Sequence, residues 1–174
     1  MKFDNFTIKV QEGLMAAKKL AENHDHQRIE PVHLMLAFLE QPDGITIPLL
    51  QKLGINIEHL RRDLLDELER LPRVTGPGAT EILISPSTKI LFDNAWKEAE
   101  LLHDEYLSTE HLLLAMAGAD SIPIHTIFRH FGITRDRILQ ALKSVRGNQR
   151  VTDQDPEGKY QACLLYTSDA ADEL

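Results

Sequence analysis

The sequence predicts an all-α protein of eight helices, arranged as two tandem four-helix repeats. Three observations carry that reading: a self-match at a constant offset of 78 residues, apolar side chains at helical spacing, and cap residues at the same places in both copies. Pro31-Val32-His33-Leu34-Met35-Leu36-Ala37 returns as Thr109-Glu110-His111-Leu112-Leu113-Leu114-Ala115. Leu53-Gly54-Ile55-Asn56 returns as Phe131-Gly132-Ile133-Thr134, and Ala17, Lys19, Ala21 and Glu22 match Ala95, Lys97, Ala99 and Glu100. The register does not slip, so the two copies share one topology.

The first helix opens at Thr7, whose hydroxyl can accept from the free N–H groups of the first turn, with Phe6 placed as a hydrophobic staple. Val10, Leu14, Ala17 and Ala21 form its buried face. Its counterpart opens at Ser85 with Pro86 in the first turn, where a missing N–H costs nothing. Second helices start at Glu30-Pro31 and at Ser108-Thr109-Glu110, an acid near the positive end of each dipole. Third helices run near Pro48 to Leu53 and from Ile124 to Phe131, ending before Gly54 and Gly132, which can take the left-handed cap conformation. Asn56 and Thr134 cap the fourth helices; Leu60, Leu64, Leu65 and Leu68 stripe one, and Ile138, Leu142 and Val145 the other. The chain therefore divides into a first repeat (1–72), an inter-repeat loop (73–84) built on Gly76-Pro77-Gly78, a second repeat (85–147) and a polar, unpatterned linker (148–162). Residues 163–174 read as an in-frame adapter translation, a non-native tail to be set aside in fold reasoning.

Composition removes several function classes. Net charge is -8, with 19 Lys and Arg spread along helices, which disfavours nucleic-acid binding driven by phosphate neutralisation. A lone Cys163 supports neither a disulfide nor a thiolate zinc site. Eight histidines include His24-Asp25-His26, but no third ligand follows at metal spacing, so no metal is expected. His33 and His111 hold equivalent helical positions and read as a repeated structural device. No apolar run is long enough to span a membrane and no secretory leader is visible, so the cytoplasm is the expected compartment. No phosphate loop of the Gly-x-x-x-x-Gly-Lys-Ser/Thr kind occurs, and no nucleophile stands beside a base, so no catalytic residue is expected.

Thr7 at the first helix start, Ile29-Glu30-Pro31-Val32-His33-Leu34 and Ser108-Thr109-Glu110-His111-Leu112-Leu113 together resemble the Clp N-terminal repeat, over about residues 1–147. Leu71-Pro72 and Val145-Arg146-Gly147, closing the two copies, are most similar to the disaggregating-chaperone branch of that family. The resemblance implies a substrate-docking module that receives exposed hydrophobic segments of unfolded or aggregated polypeptides. It also implies a longer protein whose ATPase modules would hold ATP and Mg2+, form a homohexamer and work with a co-chaperone; this piece alone is expected to be monomeric. Two alternatives stay open: an adaptor-docking module of a protease-associated unfoldase, and a stand-alone Clp-repeat protein. Docking needs exposed apolar surface, and the seam between the copies is the natural place. Phe6, Leu91, Ala95, Leu107 and Leu112 are its candidate lining, although each also reads as plain core. The resemblance adds Thr7, Asp104 and Glu110 at its margin. As bare chemistry, Thr7 is a helix cap and Glu110 compensates a dipole.

Overall fold

The structure is a computed structural model, and residues 3–76, 81–147 and 149–157 are described. The tail at 163–174, with Cys163, and the end of the expected linker lie outside the described residues. A short 3-10 turn, Phe3–Asn5, leads into α1 (Ile8–Asn23), β1 (Arg28–Ile29), α2 (Pro31–Leu39), α3 (Thr46–Lys52) and α4 (Ile57–Arg70). The second copy follows with β2 (Leu83–Ile84), α5 (Pro86–Leu101), α6 (Thr109–Gly118), α7 (Ile124–His130) and α8 (Arg135–Arg146). Each helix of the second copy begins 78 residues after its counterpart in the first. Even the backbone irregularities recur: Asp25 and His103 are left-handed at φ 57° in each case, and Gly54 and Gly132 take φ 75° and 69° where their helices end.

The caps explain the helix starts. The side chains of Thr7, Asn56, Ser85 and Thr134 each accept an N–H of their own first turn, and Pro31 and Pro86 stand at the first helical positions. One boundary differs from the sequence reading. α3 begins at Thr46 rather than near Pro48, because a proline is tolerated within the first turn and so does not mark the start.

The expected inter-repeat loop ends in a strand. β2 pairs with β1 in parallel, Arg28 opposite Leu83 and Ile29 opposite Ile84. Glu30 and Ser85 both precede a proline, which biases the backbone leading into each helix towards extended geometry. The same pairing recurs with the copies exchanged: Phe6 bridges Leu107, also in parallel. Phe6 is the first-copy equivalent of Ile84, and Leu107 the second-copy equivalent of Ile29. Each repeat thus lends its lead-in to the other.

The helices follow the same pattern. α1 packs on α2 and α5 on α6 within the repeats, while α3 meets α8 and α4 meets α7 across them. One hydrophobic core runs through both copies, with Phe6 stacked on Phe92 at 5.3 Å between ring centroids and Trp96 packed beside it. At the far end, the Arg137 guanidinium donates to the carbonyls of Gly132 and Leu53, each at 2.6 Å, tying the end of α3 to the end of α7.

Candidate functional site

The seam forms where Phe6 is drawn against the second repeat. The Leu107 N–H donates to the Asn5 carbonyl at 2.8 Å, and the Thr7 N–H donates to the Leu107 carbonyl at 2.9 Å. Below it lie Leu91 and Ala95 of α5 and Leu112 of α6. All five expected apolar lining residues, Phe6, Leu91, Ala95, Leu107 and Leu112, are 0% exposed. The expectation that they line an open groove is therefore corrected: backbone pairing and the Phe6–Phe92 stack make them interior.

Residues 149–157 complete the closure. They pack against the body instead of hanging free as an unpatterned linker. The Ile8 N–H donates to the Gln154 carbonyl and the Glu105 N–H to the Val151 carbonyl, both at 2.8 Å, and Val151 is fully buried. This strap crosses the seam from the start of α6 to the start of α1.

Thr7, Asp104 and Glu110, far apart in sequence, meet beneath the strap. The Asp104 side chain is fully buried; its Oδ2 accepts from His111 Nε2 at 2.7 Å, and its Oδ1 accepts from Arg146 Nη2 at 2.6 Å and from the Val151 N–H at 2.9 Å. Burial pushes this carboxyl upward, but the bonds from His111, Arg146 and Val151 outweigh it and hold the pKa at about 2. Glu110 is also fully buried, 3.4 Å from Arg146 Nη1. The Thr7 hydroxyl accepts from the Val10 N–H and donates to Glu157 Oε1 at 3.1 Å. Glu157 is fully buried, and burial together with the neighbouring Glu110 carboxylate pushes its pKa up to about 8 against bonds from Thr7 and the Thr109 N–H.

Sequence reasoning missed Val151 and Glu157, because a segment without periodicity gives no sign that it packs. In the sequence Arg146 stands out only as part of a closing motif. Its position in the last turn of α8 favours a cation by the helix dipole, but its two acidic partners are tertiary.

The repeated histidines do the same local job. His33 Nδ1 accepts the Glu30 N–H at 2.8 Å, and His111 Nδ1 accepts the Ser108 N–H at 2.9 Å. Each ring therefore carries its proton on Nε2, aimed at the residue seven positions earlier: His26 Nδ1 at 2.9 Å in one repeat, Asp104 in the other. Burial, with His26 and His24 nearby, lowers the His33 pKa to about 4. Among the described residues, no cluster of three or more His, Cys, Asp or Glu side chains is placed to hold a metal ion.

Open apolar surface lies elsewhere. A groove of about 500 Å³ runs between α1, α2 and α4, its walls made of Ala16, Leu20, Leu36, Ala37, Pro42 and Leu65, with Glu12, Glu40, Gln41 and Arg61 at the rim. Leu65 is 43% exposed there, and Arg61 is held by hydrogen bonds to Glu40 and Glu58.

The model of the Clp repeat (R) N-terminal domain matches residues 5–131. The chaperone protein ClpB of Bacillus cereus is 40% identical over 176 residues, covering 100% of this chain and 20% of the relative. That of Vibrio vulnificus is 40% identical over 169 residues, covering 97% and 20%. The chain thus spans about a fifth of the length of the curated relatives it matches. Among solved structures, the Hsp104 N-terminal domain from Candida albicans superposes with a TM-score of 0.75 at 24% identity, over 88% of this chain and 99% of that one. A complex of the ClpV N-domain with a VipB peptide gives 0.69 at 18%, over 86% and 91%. With the repeat, the fold and the family match in agreement, the chain belongs to the Clp repeat N-terminal domain family, in a form similar to the N-terminal region of ClpB chaperones.

Proposed function

We propose that the chain is the client-docking N-terminal module of an ATP-driven protein disaggregase, and that it takes exposed apolar segments of unfolded or aggregated polypeptide into the α1–α2–α4 groove. The observation that carries this reading is the groove itself: a concave surface, walled by aliphatic side chains and rimmed by charges, on a chain whose relatives are named chaperones. Unfolded polypeptides share little beyond unsatisfied apolar side chains, so a shallow aliphatic wall without directional polar contacts suits a ligand of variable sequence. The ClpV N-domain solved with a VipB peptide supports the capacity of this scaffold to hold a peptide. ATP hydrolysis, ring assembly and co-chaperone contacts would belong to the remaining four-fifths of a protein as long as its relatives.

Affinity should be weak, on the order of micromolar or poorer, since the groove is shallow and the ligand must be ordered. Fluorescence anisotropy with a labelled, permanently unfolded carboxymethylated protein tests the reading. Saturable binding by the wild type, weakened about tenfold or more by Leu65→Glu, is the expected result. Leu65 is exposed, so the substitution should leave the fold intact. Equal binding by both proteins would remove the groove from the reading, and no binding by either would remove the function.

A further inference from the structure

The strap is seated as a ligand would be. It crosses the seam, exchanges backbone hydrogen bonds with both repeats through Ile8 and Glu105, and buries Val151, Pro156 and one acidic side chain, Glu157. Its two anchors use the seam's own polar residues: the Val151 N–H bonds Asp104 Oδ1, and Glu157 bonds the Thr7 hydroxyl. A carboxyl buried beside a second buried carboxyl, Glu110, is an uneasy anchor. A segment meant only to fill the seam would be better served by an apolar residue there.

We propose that residues 149–157 are a releasable intrachain ligand of the seam, seated by Val151 and Glu157, whose departure uncovers Thr7, Asp104 and Glu110 and frees the chain beyond α8. Released, residues 149–157 would become free tether, up to about 30 Å when fully extended, between α8 and whatever follows residue 157. The strap then sets both the accessibility of the seam and the length of the tether. This device is independent of the α1–α2–α4 groove, and neither reading depends on the other.

The groups facing Glu157 decide how release responds to pH. α6 contributes Glu110, which Arg146 of α8 approaches at 3.4 Å with Asp104 and His111 behind it, and the start of α1 contributes the uncharged Thr7. Seated, Glu157 titrates near 8 against an ordinary 4.5, so seating takes up a proton. Its contribution is complete below about pH 4.5 and is lost progressively as the pH rises to about 8, by up to about tenfold in the seating equilibrium per pH unit. Asp104, held near 2, stays charged throughout that window.

Amide hydrogen exchange on the 174-residue chain reads the strap directly, because the Ile8 and Glu105 amides donate to strap carbonyls while those of Thr7 and Leu107 donate to the paired lead-ins. After correction for intrinsic exchange, wild-type protection at Ile8 and Glu105 should fall as pH rises from about 5 to 8, with Thr7 and Leu107 unchanged. Glu157→Gln, neutral at every pH, should abolish that dependence. Val151→Asp should lower protection at Ile8 and Glu105 throughout, again sparing Thr7 and Leu107. A Glu157→Gln profile that tracks the wild type, or protection at Ile8 and Glu105 that survives Val151→Asp, would overturn the proposal and leave the groove's role untouched.

Discussion

Thr7 does two jobs with one hydroxyl: it caps α1 by accepting the Val10 N–H and donates to Glu157. Thr7→Ala should therefore cost about 1 kcal/mol in chemical denaturation, as a lost cap does, and should also lower strap protection at Ile8. Ser85, the equivalent cap, donates instead to Thr88, so Ser85→Ala should leave the strap alone. His33 gives a second residue-scale expectation. Its pKa is about 4 in the folded chain and 6.5 ordinarily, so the unfolded chain takes up the proton first. Stability tied to this group is whole above pH 6.5 and is lost as the pH falls towards 4. Asp104 has the opposite charge and a lower window: its contribution is whole above 3.8 and lost only as the pH falls towards 2. Thermal melts from pH 7 to 4 should show an acid-induced fall in Tm that His33→Gln reduces. A fall of the same size in both proteins would assign the acid step elsewhere. Caps such as Thr7 were legible because a cap is a local bond between residues three apart. The partnership of Asp104 with Arg146 and Val151 was not, because only the tertiary fold brings them together.

At the scale of elements, the constant register predicted eight helices, and eight α-helices form among the described residues, each in its predicted place to within a turn. β1 and β2 leave no mark in the sequence pattern, since two residues are too few to show alternation. Equivalent helices are not packed identically. Gly13 of α1 lies so close to Phe38 of α2 that an added Cβ would meet the ring at 2.3 Å; the corresponding pair in the second repeat is Leu91 and Met116. Bulk has moved from one helix to the other while the interface is kept. Gly13→Ala would gain up to about 1 kcal/mol of helix propensity, yet overpacking against Phe38 should outweigh it, for a net loss of about 1–2 kcal/mol. Urea denaturation measures the sign. A stabilised Gly13→Ala would mean that α1 and α2 separate readily.

Across the whole molecule, the exchange of lead-ins joins the repeats into one folding unit. Phe6, from the first copy, fills the core of the second, so neither copy keeps a complete core without the other. A single calorimetric transition with matching van't Hoff enthalpy is expected. Phe6→Ala, at about 3–5 kcal/mol, should lower the stability of both repeats together; two separable transitions would refute the interlock. The repeat in the sequence announced two similar halves but not their interlock, since the residues that cross over belong to short connections without periodicity. It likewise suggested the seam as the docking surface, whereas the seam is buried and an open apolar groove lies on the first repeat, between α1, α2 and α4. Docking of clients there is tested most directly by methyl-resolved NMR of the 174-residue chain titrated with a permanently unfolded, apolar-rich polypeptide. Shift changes should gather on Ala16, Leu20, Leu36, Ala37 and Leu65 and saturate in the micromolar range or above. An unperturbed groove at saturating polypeptide, with changes confined to other faces, would contradict it.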